Sequence, residues 1–202
     1  CHSVPSPMAW QAYVRHRAEV DAEGMLPVDV NLRSKETGWS KYRYSNVFKY
    51  ENGITHSATS GQSLFMKLFV GDTISRESCT NCKFKGYSRV SDITLGDFWG
   101  IWDIAPDMDD DKGTSVILVH SAKGRELWQE ISEKIVCKEV SLEEASLHNP
   151  SMLVSSKANP KREEAFNLIK AGNMADCAKF FATPKSSVTD RIKNKIKRIL
   201  KI

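Results

Sequence analysis

Long apolar runs are missing from this 202-residue chain. The longest, such as Val116-Ile117-Leu118-Val119, are far shorter than the ~20 residues a membrane-spanning helix needs, so a helical membrane protein is excluded. Cysteine is scarce. Five in the whole chain is far below the density of a disulfide scaffold, and the number is odd. No internal repeat and no low-complexity tract is present, which argues against solenoids and disordered arrays. There is neither an initiator methionine nor a signal peptide, and Cys1 is expected to be an internal position of a longer protein.

What is present is ordinary for a globular chain: 41% hydrophobic and 27% charged residues. The net charge of +4 is unevenly placed. Residues 185–202 hold seven basic groups and one acid, a charge of +6, while the other 184 residues carry 22 basic and 24 acidic groups. The body is therefore not a basic protein, and specific nucleic-acid binding by the whole chain is not expected. Two domains are expected: a body over 1–184 and a basic tail over 185–202. In the tail, Val188, Ile192, Ile196, Ile199 and Leu200 fall on one helical stripe with lysines opposite. Such a helix docks on the body or makes peripheral contact with an anionic membrane surface.

Along the chain, Ser6-Pro7 followed by Met8, Trp10, Tyr13 and Val14 predicts a helix ending near Gly24. Val28–Leu32 and Lys41–Tyr50 alternate like strands, Glu51-Asn52-Gly53 is a hairpin turn, and Ile54–Thr59 is the return. Ser63–Val70 is expected to be helical. Strands follow at Ser91–Leu95, Ser115–Val119 and Ile135–Val140, and helices at Gly124–Glu133, after Ser141 with Glu144 in a capping box, at Arg162–Lys170 and at Ala175–Phe181. The order gives an α+β or irregular α/β class, with antiparallel strands early and strand–helix alternation later.

The chemistry concentrates in Arg76-Glu-Ser-Cys79-Thr-Asn-Cys82-Lys-Phe-Lys-Gly86. A C-x-x-C turn aims two thiolates at one metal or cluster face, and Arg76, Lys83, Lys85 and Arg89 favour the thiolate form. In a cytoplasmic protein, the compartment expected here, zinc, iron–sulfur and thioredoxin-like readings stay open, the last weakened because no helix signature starts at Cys79. Cys137 alternates with lysines and is expected to point inward from a strand. Cys177, among Ala175, Ala178, Phe180 and Phe181, is expected on a buried helix face. His2 adjoins Cys1 and could tune a cluster by hydrogen bonding.

Four stretches occur together: Cys1-His2-Ser3-Val4-Pro5-Ser6-Pro7, Cys79-x-x-Cys82, Ser91-Asp92-Ile93-Thr94-Leu95-Gly96, and Lys112-Gly113-Thr114-Ser115 leading into Val116–Val119. In that order they resemble the C-terminal part of the coenzyme F420 hydrogenase/dehydrogenase beta-subunit family, over most of residues 1–180. The resemblance implies an iron–sulfur flavoprotein, an oxidoreductase moving electrons between a 4Fe-4S cluster and a flavin, usually FAD, or a deazaflavin partner. It implies Cys1, Cys79 and Cys82 as cluster ligands, a fourth cysteine upstream, and a ferredoxin-like region upstream as redox partner. It also makes the loops Gly96-Asp97-Phe98-Trp99-Gly100 and Lys112-Gly113-Thr114-Ser115 candidate flavin contacts, with Gly96, Asp97, Gly100, Lys112, Gly113, Thr114 and Ser115 as the binding residues. Trp99 or Trp102 could stack on the ring. Asp107, Asp109, Asp110 and Asp111 crowd the second loop and are expected to form a solvated surface run. The alternatives are a zinc-stabilised interaction domain and a membrane-peripheral adaptor.

Overall fold

The structure, a computed structural model, describes residues 1–181. The elements in chain order are α1 (Pro7–Ala22), β1 (Asp29–Ser34), β2 (Ser45–Lys49), β3 (Thr55–Thr59), α2 (Leu64–Val70), β4 (Ile93–Asp97), α3 (Ile101–Ile104), β5 (Ser115–Val119), α4 (Ala122–Ser132), α5 (Leu142–Ser146) and α6 (Arg162–Lys170), followed by a 3-10 stretch at Met174–Phe181. Two small antiparallel sheets, β1-β2-β3 and β4-β5, lie among these helices, which makes the fold α+β. Among the described residues no helix is long and apolar enough to cross a membrane. The tail over 185–202 and its boundary at 184 lie outside the described residues.

Local chemistry sets the first half. Pro7 starts α1 with its φ already helical, and the left-handed Glu23 (φ 51°) and Gly24 (φ 91°) stop it. Between them Ala9, Tyr13, Ala18 and Ala22 face inward. The Asn-Gly turn closes β2 onto β3, with Gly53 at φ 83° and the Tyr50 amide donating to the Ile54 carbonyl at 2.9 Å. As the central strand, β2 is buried at Ser45, Asn46, Val47 and Phe48. Tyr13 packs on Phe48 (5.8 Å between rings) and on Phe65 (5.3 Å), and Leu68, Ile74, Ala165, Ile169 and Cys177 complete this core. Burying a ring such as Phe48 contributes about 1.5–3 kcal/mol. Cys177 is buried in an apolar setting, as expected, and burial pushes its thiol pKa up.

A polar knot seals one edge of this core. Asp21 accepts from Arg17 and from the Tyr50 hydroxyl (2.8 Å), while Arg17 also meets His56 Nδ1 at 2.9 Å. The second half is smaller. β4 and β5 pair from Ile93↔Val119 to Asp97↔Ser115, and Phe98, Ile101, Ala105, Val116 and Ala145 form its core. Ser141 and Glu144 form the expected capping box at α5.

Several elements differ from the sequence pattern. The segment Ile135–Val140 is not a strand: β5 pairs only with β4, so the alternation there finds no ladder. Val136 is 87% exposed, and Cys137, expected to point inward, is exposed. β2 starts at Ser45 rather than Lys41, because Ser40–Tyr42 is a 3-10 turn with Lys41 (φ 54°) and Tyr42 (φ 62°) both left-handed. β4 starts two residues later than the pattern suggests, and the last segment winds as 3-10 rather than α.

Candidate functional site

The N-terminal segment lies antiparallel against residues 74–79. Pro5 and Ser75 form a β-bridge, the Ser6 amide donates to the Ile74 carbonyl at 2.8 Å, and the Arg76 amide donates to the Val4 carbonyl at 2.7 Å. Buried Ser3 and Ser75 share a hydroxyl–hydroxyl bond of 2.6 Å. This pairing brings the start of the chain to the C-x-x-C segment. The Val4 amide donates to Cys79 Sγ at 3.3 Å, and the Cys82 amide donates to Ser155 Oγ at 3.0 Å. Cys79 lies within the 3-10 turn Glu77–Asn81 and Cys82 follows it directly; both are half-buried, Cys1 is exposed, and all three thiols are free.

Lys85 ties the wall together. Its Nζ donates to the carbonyls of Cys1 (2.6 Å), His2 (3.3 Å) and Ser151 (2.6 Å). Burial pushes the Lys85 ammonium pKa down from its ordinary value, and the neighbouring Cys82 and Cys79 oppose that shift. Arg89 holds the Met152 carbonyl at 3.0 Å, and its buried Nε has no hydrogen-bond partner. The His2 ring finds its partners among other groups than the thiols. It bonds Ser151 Oγ (3.2 Å) and the Phe69 carbonyl (3.3 Å) and pairs with Asp72 at 3.0 Å.

The donor chemistry suits a soft anionic group: free thiols, an N–H aimed at sulfur, two cations and one unpartnered guanidinium N–H. The fit is partial. A 4Fe-4S cluster takes four thiolates, and this wall supplies three. Among the described residues no three His, Cys, Asp or Glu side chains converge as a metal-binding group. Backbone pairing therefore gathers the three cysteines without drawing their sulfurs into one coordination sphere.

The two glycine-bearing loops also meet. Asp97 pairs with Ser115, Gly96 with Val116, and the Phe98 amide donates to the Thr114 carbonyl at 2.9 Å. Here the glycines are used by the protein. At Gly100 (φ 92°) a Cβ would lie 2.5 Å from His148 Cγ, and at Gly113 (φ 96°) it would lie 2.8 Å from Trp39 Nε1. Thr114 Oγ1 donates to the Met108 carbonyl at 2.6 Å, Asp97 pairs with Arg33 at 2.5 Å, and Lys112 is exposed. Beside Gly100 and Gly113 the space that a close-approaching ligand phosphate would use is filled by His148 and Trp39. Trp99 stacks on Trp39 (5.3 Å, 14°) and meets Tyr42 at 4.9 Å; Trp102 meets Tyr42 and His148 edge-on.

Sequence reasoning missed the work done by the acidic run. Asp111 accepts the amides of Trp39 and Ser40 (both 2.8 Å) and pairs with Arg43 at 2.7 Å, and these bonds hold its carboxyl at a pKa of about 2. Asp109 accepts from the Ser40 hydroxyl. The run is a clamp on residues 39–43 rather than a wholly solvated loop. No sequence signal marks a partner about 70 residues away.

A family model for the C terminus of the coenzyme F420 hydrogenase/dehydrogenase beta subunit matches residues 1–145. Neither a curated protein nor a solved structure matches the chain.

Proposed function

Because the chain belongs to the family of C-terminal regions of coenzyme F420 hydrogenase/dehydrogenase beta subunits, we propose that it is a redox domain whose cysteine wall holds an iron–sulfur cluster. On this reading Cys1, Cys79 and Cys82 would turn their sulfurs, which lie near one another but outside a common coordination sphere, onto the cluster, and a ligand from outside this wall would complete the set. The observation that carries this reading is the pairing of residues 3–6 with 74–79, which places Cys1 beside the C-x-x-C pair under the Lys85 clamp. The resemblance adds electron exchange with a redox partner protein and with a flavin or deazaflavin.

A bound 4Fe-4S cluster would supply one-electron transfer. The chain's own groups do the rest. The Val4 amide donates to Cys79 Sγ, and if that sulfur held a cluster the hydrogen bond would stabilise added negative charge on it. Lys85, partly desolvated, places positive charge beside Cys79 and Cys82, where it would offset the negative charge of a thiolate-held cluster. Fixing its ammonium on three carbonyls holds residues 1–2 and 151 against the cysteine segment.

The test is anaerobic purification of the longest available form of the protein, followed by its visible spectrum and iron, sulfide and zinc assays. Broad iron–sulfur absorption that is lost in Cys79→Ser and in Cys82→Ser, with the far-ultraviolet circular dichroism retained, is the expected result. A colourless protein loaded with zinc overturns the reading in favour of a structural metal.

A further inference from the structure

Between β5, α4 and α5 lies a cavity of about 600 Å³, walled by Phe98, Val116, Leu118, Trp128, Val140 and Leu142. Its outer wall is the segment Ile135–Val140, which joins no sheet and leaves Val136 87% exposed; Leu142 beside it is 50% exposed. Apolar surface of this kind calls for a cover. The charged residues of the lining are Lys138 and Glu139, and the acidic character belongs to the segment around it, where Glu143 and Glu144 start α5 beside Leu142. Residues 101–149 carry eleven acidic and five basic groups, a charge of −6.

One segment of the chain has the matching character. Residues 185–202 carry +6 and place Val188, Ile192, Ile196, Ile199 and Leu200 at helical spacing. Chain length permits the contact. With 182–187 extended and 188–202 helical, the 21 residues after Phe181 reach ~40 Å, which matches the ~40 Å diameter of a body of this many residues. We infer that residues 185–202 dock on this cavity, laying the apolar stripe over Val136, Val140 and Leu142 and turning the lysines toward the acidic half of the body. Docking of this kind is independent of any cluster at the cysteine wall.

Cys137 reports the docking, because its exposed thiol lines the cavity. Buried Cys177 reports the integrity of the core. The measurement is the rate of N-ethylmaleimide labelling at each cysteine in the full chain, located by peptide mass spectrometry. In Ile192→Asp/Ile196→Asp the Cys137 rate should rise about tenfold over the wild type, the effect of losing ~1.4 kcal/mol of docking, with Cys177 still protected. A second variant, Lys193→Glu/Lys197→Glu, keeps the apolar stripe and should release Cys137 in the same direction. Unchanged Cys137 rates in both variants overturn the inference. So does a wild-type Cys137 that labels as fast as in the variants while the wild-type tail binds vesicles of phosphatidylserine and phosphatidylcholine; that result assigns the tail to a membrane surface.

Discussion

Replacing Gly100 by alanine separates a glycine kept for the protein from a glycine kept for a ligand. Gly100 sits at φ 92°, and an added Cβ would lie 2.5 Å from His148 Cγ and 2.7 Å from His148 Cβ. Two costs follow. The backbone conformation disfavours an L side chain by ~1–2 kcal/mol, and overpacking against a fixed neighbour adds ~1–3 kcal/mol. His148 cannot yield freely, since its ring pairs with Asp103 at 3.2 Å and meets Trp102 edge-on. The expected loss of stability for Gly100→Ala is therefore about 2–5 kcal/mol. Gly53 provides the control. Its φ of 83° is similar, but nothing lies within 4 Å of its Cβ position. Gly53→Ala should show the backbone cost alone, ~1–2 kcal/mol. Urea denaturation of the full chain, followed by circular dichroism, measures both. Equal losses in the two variants would refute the claim that His148 fills the open side of Gly100. A Gly100→Ala protein that is as stable as the wild type but has lost an anionic ligand would return this loop to the cofactor.

Two further expectations follow from the contacts. Lys85→Met removes the donor shared by the carbonyls of Cys1, His2 and Ser151; the loss should be about 1–3 kcal/mol, with faster amide exchange at Arg76, whose amide pairs with Val4, and an unchanged rate there would dismiss the clamp. Stability should also fall with acid through His56. Its pKa is lowered by burial and by Arg17, partly offset by Asp21, so the unfolded chain takes up the proton first. The contribution is full above the ordinary histidine value of ~6.5 and fades as pH falls from there toward the lowered folded value. His16, lowered by burial and Arg17, acts in the same direction, and Tyr50 faces Asp21 across the same knot. Urea midpoints at pH 7.5 and 5.5 should therefore converge in His56→Gln; an undiminished pH difference in that variant would exonerate His56.

Where the code is local, the sequence is a good guide. Ser6-Pro7 starts α1, Asn52-Gly53 turns the hairpin, Ser141 and Glu144 cap α5, and α6 and β5 occupy their expected residues. Each of these depends on groups within a few residues of one another. The failures share the opposite property. Ile135–Val140 alternates correctly but has no neighbouring strand, and periodicity carries no information about partners. Lys41 and Tyr42 leave the strand pattern where Asp111 clamps the preceding amides. The family resemblance marks three cysteines as belonging together, whereas the bridge between Pro5 and Ser75 that assembles them has no signature in either segment.

That division bears on how the cysteine wall can be probed. The wall is assembled by backbone pairing of Val4 and Ser6 with Ile74 and Arg76, and by Lys85 on three carbonyls. The thiols themselves contribute little to this assembly: Cys1 is exposed, Cys79 and Cys82 are half-buried, and the main contact of sulfur is the amide of Val4 on Cys79. Serine is close to cysteine in size and can accept that same hydrogen bond. Serine substitution at positions 79 and 82 should therefore remove ligands while leaving the fold standing. The buried Cys177 behaves differently, since a hydroxyl there would be desolvated among Ala165, Ile169 and Met174 at a cost of about 1–3 kcal/mol. A protein that loses its colour in Cys79→Ser while keeping the unfolding midpoint of the cluster-free wild type has lost a ligand and not a scaffold. The same loss of colour in Cys177→Ser, accompanied by a lowered midpoint, reports only the core.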